Sequence, residues 1–243
     1  MPPRKPTTGR GKVALTWFGH SAFMIRSVNG KIILIDPWLE NPKAPPEARS
    51  ISAVDFILVT HGHGDHLGNT VELAKRTGAK VYCVYEISLY LQSQGVTNVA
   101  GMNKSGSAST DGITFTMTHA EHSSGIEPGG PILAGGDPGG FVIRLENGLC
   151  IYHAGDTGVF GGMRIIGELY KPDVAILPIG DFFTMGPREA AYACKLLKPR
   201  HIIGMHYGTF PALPGTPAQL KSFLPPAMQK KVHELTPGVP VQF

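Results

Sequence analysis

The chain has 243 residues, 42% of them hydrophobic, which is enough to bury a sizeable core as one α/β domain. No apolar run approaches the roughly 20 residues of a membrane helix, and the basic, proline-rich start Met1-Pro2-Pro3-Arg4-Lys5-Pro6 is not followed by a signal-peptide apolar region. Arg4, Lys5, Arg10 and Lys12 account for the formal charge of +4, no acid lies within residues 1–12, and basic and acidic residues balance beyond them, so no footprint for nucleic acid or an anionic membrane is left.

Residues 1–12 read as a disordered basic tail and residues 13–243 as a single domain. The cysteines Cys83, Cys150 and Cys194 are odd in number and lie in apolar surroundings. They read as reduced, buried thiols and, with no export signal, point to a cytoplasmic location.

Residues 13–18, 22–27 and 31–35 read as three short strands, with Asn29-Gly30 a hairpin signal between the last two. Gly19-His20-Ser21 turns the first pair, and a proline-rich loop spans 41–46. Residues 55–60 form a buried apolar strand, and a helix starts near Leu67. A strand follows at 80–85, a helix at 86–94 and a strand at 113–118. Residues 123–140 are rich in Gly and Pro and lack periodicity, as functional loops of that length often do; the loop is long enough to pack between subunits of a homo-oligomer. A second hairpin, 141–145 with 149–153, turns at Asn147-Gly148. Helices are expected at 160–170, 187–197 and 216–224, strands at 173–179 and 200–205, and sheet edges at 232–235 and 239–243. Each half begins with strands and adds helices later, which suits two packed sheets with helices outside.

The chemistry concentrates in Thr60-His61-Gly62-His63-Gly64-Asp65-His66, at the carboxyl end of a buried strand, where open α/β sheets place ligands. Neutral imidazole is the commonest metal ligand, and a carboxylate suits the same borderline cations. Gly62 and Gly64 are expected to let the backbone curl so that His61 and His63 aim at one point, with Asp65 and His66 facing a second metal nearby. Downstream, His119 and His122 both follow a strand. Asp156, in Ala154-Gly155-Asp156-Thr157-Gly158, suits either a bridging carboxylate or an Asx turn. His206 stands just after the strand at 200–205, where it suits either a structural role or a ligand.

H-x-H-x-D-H after an apolar strand, followed in order by His122-Ser123-Ser124, Gly155-Asp156-Thr157 and His206-Tyr207-Gly208-Thr209, resembles the metallo-β-lactamase superfamily. Gly19-His20-Ser21, Ile35-Asp36-Pro37 and Phe183-Thr184-Met185-Gly186-Pro187 extend the likeness to a compact branch of metal-dependent hydrolases similar to ascorbate-6-phosphate lactonase. The resemblance implies a four-layer αββα sandwich. It also implies that His61, His63 and His122 bind one divalent ion, that Asp65, His66 and His206 bind another, and that Asp156 bridges them. Zinc is the first expectation for both ions; manganese, iron or nickel suit the same donors. Asp65 and Asp156 are the expected catalytic carboxylates, and His20, Ser123, Thr184 and Tyr207 the expected substrate contacts. His20 and Asp36 could equally pin turns or orient a ligand.

The implied reaction is attack of a metal-bridging hydroxide on a small ester, lactone or phosphoester. No G-x-S-x-G or phosphate-binding glycine loop suggests another route. Alternatives are a nuclease or phosphodiesterase of the same superfamily, against which the balanced charge argues, and a non-catalytic metal- or ligand-binding protein on the same scaffold. A diiron oxidoreductase of this fold would usually carry an acidic residue in place of His63 and an added flavin domain.

Overall fold

The computed structural model describes residues 11–243; the expected tail therefore lies outside the described residues, except for Gly11 and Lys12. The first half runs β1 (Ala14–Trp17), β2 (Phe23–Arg26), β3 (Ile32–Ile35), β4 (Phe56–Leu58), α1 (Gly64–Leu67), α2 (Thr70–Thr77), β5 (Lys80–Val84), α3 (Tyr85–Ser93) and β6 (Val99–Met102). The second begins β7 (Ser107–Thr110), β8 (Ile113–His119), β9 (Gly125–Ile126), β10 (Leu133–Ala134), β11 (Gly139–Arg144) and β12 (Cys150–His153). It continues α4 (Met163–Tyr170), β13 (Val174–Pro178), α5 (Pro187–Leu197), β14 (His201–Met205), α6 (Pro217–Phe223), α7 (Pro226–Gln229), β15 (Val232–His233) and β16 (Val241–Gln242).

Two seven-stranded sheets result, ordered β16-β1-β2-β3-β4-β5-β6 and β15-β14-β13-β12-β11-β8-β7. Each starts as an antiparallel meander and turns parallel, at β3–β4 in the first and at β12–β13 in the second. The parallel strands β3 and β13 are buried along their whole length, which is why both read as continuous apolar runs rather than alternating ones. The sheets pack face to face through Phe56 of β4 and Tyr82 of β5, whose rings lie 5.3 and 5.1 Å from Phe115 of β8. With helices on the outer faces, this is the expected four-layer αββα sandwich. The chain end crosses back, so that β16 pairs with β1 while β15 closes the other sheet.

Both hairpins are three-residue loops, with Gly30 and Gly148 left-handed at φ 83° and 88°. The stretch 123–140, expected to be a loop without periodicity, contains the small β9–β10 hairpin and the start of β11. All three cysteines are buried and unpaired by disulfides, and burial pushes the Cys83 and Cys194 thiols up to about 12. No helix among the described residues is long and apolar enough to cross a membrane.

Candidate metal centre

The candidate residues come from the carboxyl ends of strands in both sheets, all on one rim. The turn after β1 brings His20, the end of β3 brings Asp36, and the turn after β4 brings Thr60 and His61. Loops after β8, β12 and β14 bring His122, Asp156 and His206. His20, Asp36 and His206 all have positive φ (51°, 45° and 55°), a conformation uncommon outside glycine and concentrated at functional sites.

The helix expected near Leu67 starts earlier. His63 is the N-cap of α1, so Asp65 and His66 lie on the first turn of a helix rather than in a loop. The curl attributed to Gly62 and Gly64 is corrected too, because neither has positive φ. Gly62 is needed for close approach: a Cβ there would lie 2.7 Å from Ile126 Cγ1 of the β9–β10 hairpin. Ser124 fastens the same contact, accepting from the Gly62 N–H at 3.1 Å and donating to the Gly135 carbonyl.

Three imidazoles form one group. His61 Nε2 lies 3.0 Å from His63 Nδ1, and the His122 ring sits 5.1 Å from each of the other two. A second group gathers around Asp156 Oδ2, which is 2.9 Å from His206 Nε2 and 3.2 Å from His66 Nε2. The same oxygen lies 3.6 Å from His122 Nε2, so it stands between the two groups. Asp65 Oδ2 closes the second group at 3.8 and 3.9 Å from His206 and His66. Within each of His61–His63–His122, His20–Asp65–His66–His206 and His61–His66–Asp156, the ligand atoms lie within 4.8 Å of one another.

The next layer fixes tautomers. Asp36 accepts from the Thr60 N–H at 2.8 Å, the Thr60 hydroxyl at 2.7 Å and His66 Nδ1 at 2.8 Å. With its hydroxyl hydrogen given to Asp36, Thr60 Oγ1 accepts from His61 Nδ1 at 3.0 Å. Both histidines therefore turn Nε2 into the centre. His153 donates from Nε2 to the Ser21 carbonyl and accepts the Gly155 N–H on Nδ1, tying the Asp156 turn to the His20 turn. Thr157 accepts from the Glu121 N–H at 2.9 Å and so holds the segment carrying His122.

Burial drives the His61 pKa well below its ordinary value and also lowers His63 and His122, so the three-histidine group is neutral at pH 7. Burial opposes charge on His66 and His206 as well, but there the carboxylates outweigh it. Asp156, Asp36 and Asp65 hold His66 well above the ordinary range, and Asp156 lifts His206 to about 9. Asp156 and Asp65 stay ionised despite their burial because these histidines face them.

A divalent cation fits this donor set. His66 Nε2, Asp156 Oδ1 and His206 Nδ1 are buried without a hydrogen-bond partner, a costly arrangement for polar atoms that a bound cation relieves at the first two. The neutral imidazoles of His61, His63 and His122 and the ionised Asp65 and Asp156 are in the protonation states that metals require, whereas His66 and His206 would each give up a proton to an arriving cation.

A cavity of about 540 Å³ opens over the centre, with His63, Asp65, His122, Asp156 and His206 on its floor. Of the four expected substrate contacts, only Ser123 lines it. His20 is corrected: it is fully buried beneath Asp65, donating to Asp65 Oδ2 and accepting from Thr209, both at 2.9 Å. Tyr207 stacks on Trp17 at 5.3 Å, away from the cavity wall, and the Thr184 hydroxyl turns to the Met185 carbonyl. In their place the wall carries Glu127, Phe183 and Phe210. Only exposure in three dimensions singles these out, although Phe183 lies in a stretch already noted for its resemblance. His119 stands outside the cluster and pairs with Glu121 on the surface.

The fold and the paired groups define a metallo-β-lactamase-type metallohydrolase scaffold. A family model described as the beta-lactamase superfamily domain matches residues 31–207. A UPF0173 metal-dependent hydrolase from Koribacter versatilis is 48% identical, over 92% of this chain and 95% of that one. Another from Rubrobacter xylanophilus is 47% identical, over 94% and 96%. The solved structure of Igni18, a metallo hydrolase from the archaeon Ignicoccus hospitalis, is 40% identical with a TM-score of 0.85, covering 96% of this chain and 98% of that one. The chain belongs to the beta-lactamase superfamily and, within it, to the UPF0173 metal-dependent hydrolases.

Proposed function

We propose that the protein hydrolyses a small ester, lactone or phosphoester at a two-metal centre. His61, His63 and His122 would hold one divalent ion, and Asp65, His66 and His206 the other. Asp156 would bridge them, and zinc is the ion the donors suit first. The observation that carries this reading is the position of Asp156 Oδ2, within 2.9 to 3.6 Å of histidines from both groups. When bound, such ions acidify water towards neutral pH and polarise the oxygen of the group under attack.

The protein's own groups prepare the rest. Asp36 and Thr60 fix the tautomers of His66 and His61, so that neither ring must reorganise during turnover. Asp65 reaches the cavity, and His20 holds its Oδ2; from there the carboxylate can orient a water by accepting its hydrogen. Phe183 and Phe210 add apolar surface to the cavity wall.

The test is turnover of aryl esters, lactones and phosphodiesters by chelator-treated protein reloaded separately with zinc, manganese, iron or nickel. At least one class should be hydrolysed by reloaded protein, and the rate should fall at least about 100-fold on chelation. Fully loaded protein with no turnover on any class would contradict the hydrolase reading and favour a binding role.

A further inference from the structure

More donors crowd the place of the second ion than the proposed set uses. His20, Asp65, His66 and His206 each bring an atom within 4.8 Å of the others. Whether His20 is itself a ligand turns on its two ring nitrogens. Nε2 lies 2.9 Å from Asp65 Oδ2, and Nδ1 lies 2.9 Å from Thr209 Oγ1. A carboxylate can only accept, so the ring proton sits on Nε2. Nδ1 is left with a lone pair, and the Thr209 hydroxyl donates to it. Both nitrogens are engaged, and neither offers a lone pair to a cation. The ring is fully buried, and Trp38 and Phe210 stand edge-on to it at 5.2 and 5.7 Å, which confines it to this pose.

The same residue reaches His206 through its backbone. The His20 carbonyl accepts the His206 N–H at 3.0 Å and the Trp17 indole N–H at 2.9 Å. The His20 and His206 rings lie 3.9 Å apart. Both residues are left-handed, at φ 51° and 55°, a conformation that persists only where the surroundings determine it. Trp17 and Tyr207 supply those surroundings by stacking at 5.3 Å, with the Lys43 ammonium 4.9 Å over the Tyr207 ring. Asp65 follows β4 of the first sheet, and His206 follows β14 of the second. His20 is bonded to both, by side chain to one and by main chain to the other.

We infer that His20 is a positioning residue and not a ligand: held in one tautomer by Asp65 and Thr209, it fixes Asp65 against His206 across the two sheets and so shapes the place of the second ion. This rests on the two-metal reading above. Among the described residues, neither His20 nor Thr209 is hydrogen-bonded to His61, His63 or His122, so the first ion should not feel their loss.

One readout needs no metal. In chelated protein, nitrogen-15 correlation spectra should show the His20 ring as the Nε2–H tautomer, and the Nδ1–H tautomer would overturn the inference. The others use loaded protein. In competition with a chelator, His20→Phe should weaken the second ion about 10- to 100-fold and leave the first within about three-fold. His20→Gln, whose amide can still donate to Asp65, should recover part of that loss. Thr209→Val keeps the side-chain shape and should weaken the second ion alone by about three-fold or more, which keeps the test sound even if His20→Phe does not fold. In cobalt-loaded protein, a paramagnetically shifted ring N–H is expected from each of His61, His63, His66, His122 and His206. A further shifted N–H, lost in His20→Gln, would make His20 a ligand and overturn the inference. So would a second ion held equally by wild type and Thr209→Val. The Nε2–H tautomer in a protein that takes up no second ion would leave His20 as the holder of Asp65 and overturn the two-metal reading instead.

Discussion

Thr60 and Asp36 show how one residue can set the state of another. Asp36 is fully buried and accepts three hydrogen bonds, two from Thr60 and one from His66. Asp36→Ala leaves His66 free to choose its tautomer and Thr60 free to turn its hydroxyl. Metal affinity should fall about 10- to 100-fold, measured by competition with a chelator, while Asp36→Asn should recover part of the loss. His206 supplies a pH signature. In the metal-free protein burial opposes its charge, but Asp156 raises its pKa to about 9. A raised pKa contributes stability that is fully present below the unfolded value of about 6.5 and is lost as pH rises through about 9. Chelated protein should therefore lose Tm between those values, and metal-loaded protein, in which the proposed ligand His206 would already have given up that proton, should not. An unchanged Tm in the chelated form would contradict the pairing with Asp156. The H-x-H-x-D-H cluster was legible in the sequence because spacing alone brings its side chains close. His20 was left open between a substrate contact, a group that orients a ligand and a turn, since only burial separates a residue on the cavity wall from one beneath it.

At the scale of elements, strand ends do the positioning, and the tight turns that carry the ligands need particular backbone. Gly155 stands at φ +64°, and a Cβ there would lie 2.4 Å from the Gly139 carbonyl. Gly155→Ala must shift β11 or the Asp156 turn; it should cost about 1–3 kcal/mol in denaturant unfolding and weaken metal binding in parallel. The well-patterned elements were readable: α5 spans the expected 187–197, with Pro187 at its start. The missed strands β6 and β7 lack the pattern that strands usually carry. β7 is Ser-Ala-Ser-Thr at a sheet edge, its Ser107 and Ser109 bonded to Thr116 and Thr114 of β8 at 2.7 and 2.9 Å. A polar edge strand of this kind discourages further pairing, and in sequence it reads as a loop. β6 tolerates Gly101 because α3 packs so closely that a Cβ would lie 2.5 Å from Ser88 Oγ.

For the whole molecule, the site depends on both sheets meeting at one rim. β4 of the first sheet supplies the H-x-H-x-D-H turn, while β8, β12 and β14 of the second supply His122, Asp156 and His206. That division was visible in outline from the repeated order of strands then helices. The edge at 239–243 was read, but its return to β1 was not, because composition does not name the partner of a two-residue pairing. The division also sets the most direct test, which is metal content per chain by elemental analysis of protein purified without chelator, for wild type and for His61→Ala, Asp156→Ala and His206→Ala. The account predicts about two metals per wild-type chain, about one in His61→Ala and in His206→Ala, and the greatest loss in Asp156→Ala. About one metal in wild type, unchanged by His206→Ala, would contradict the two-metal centre.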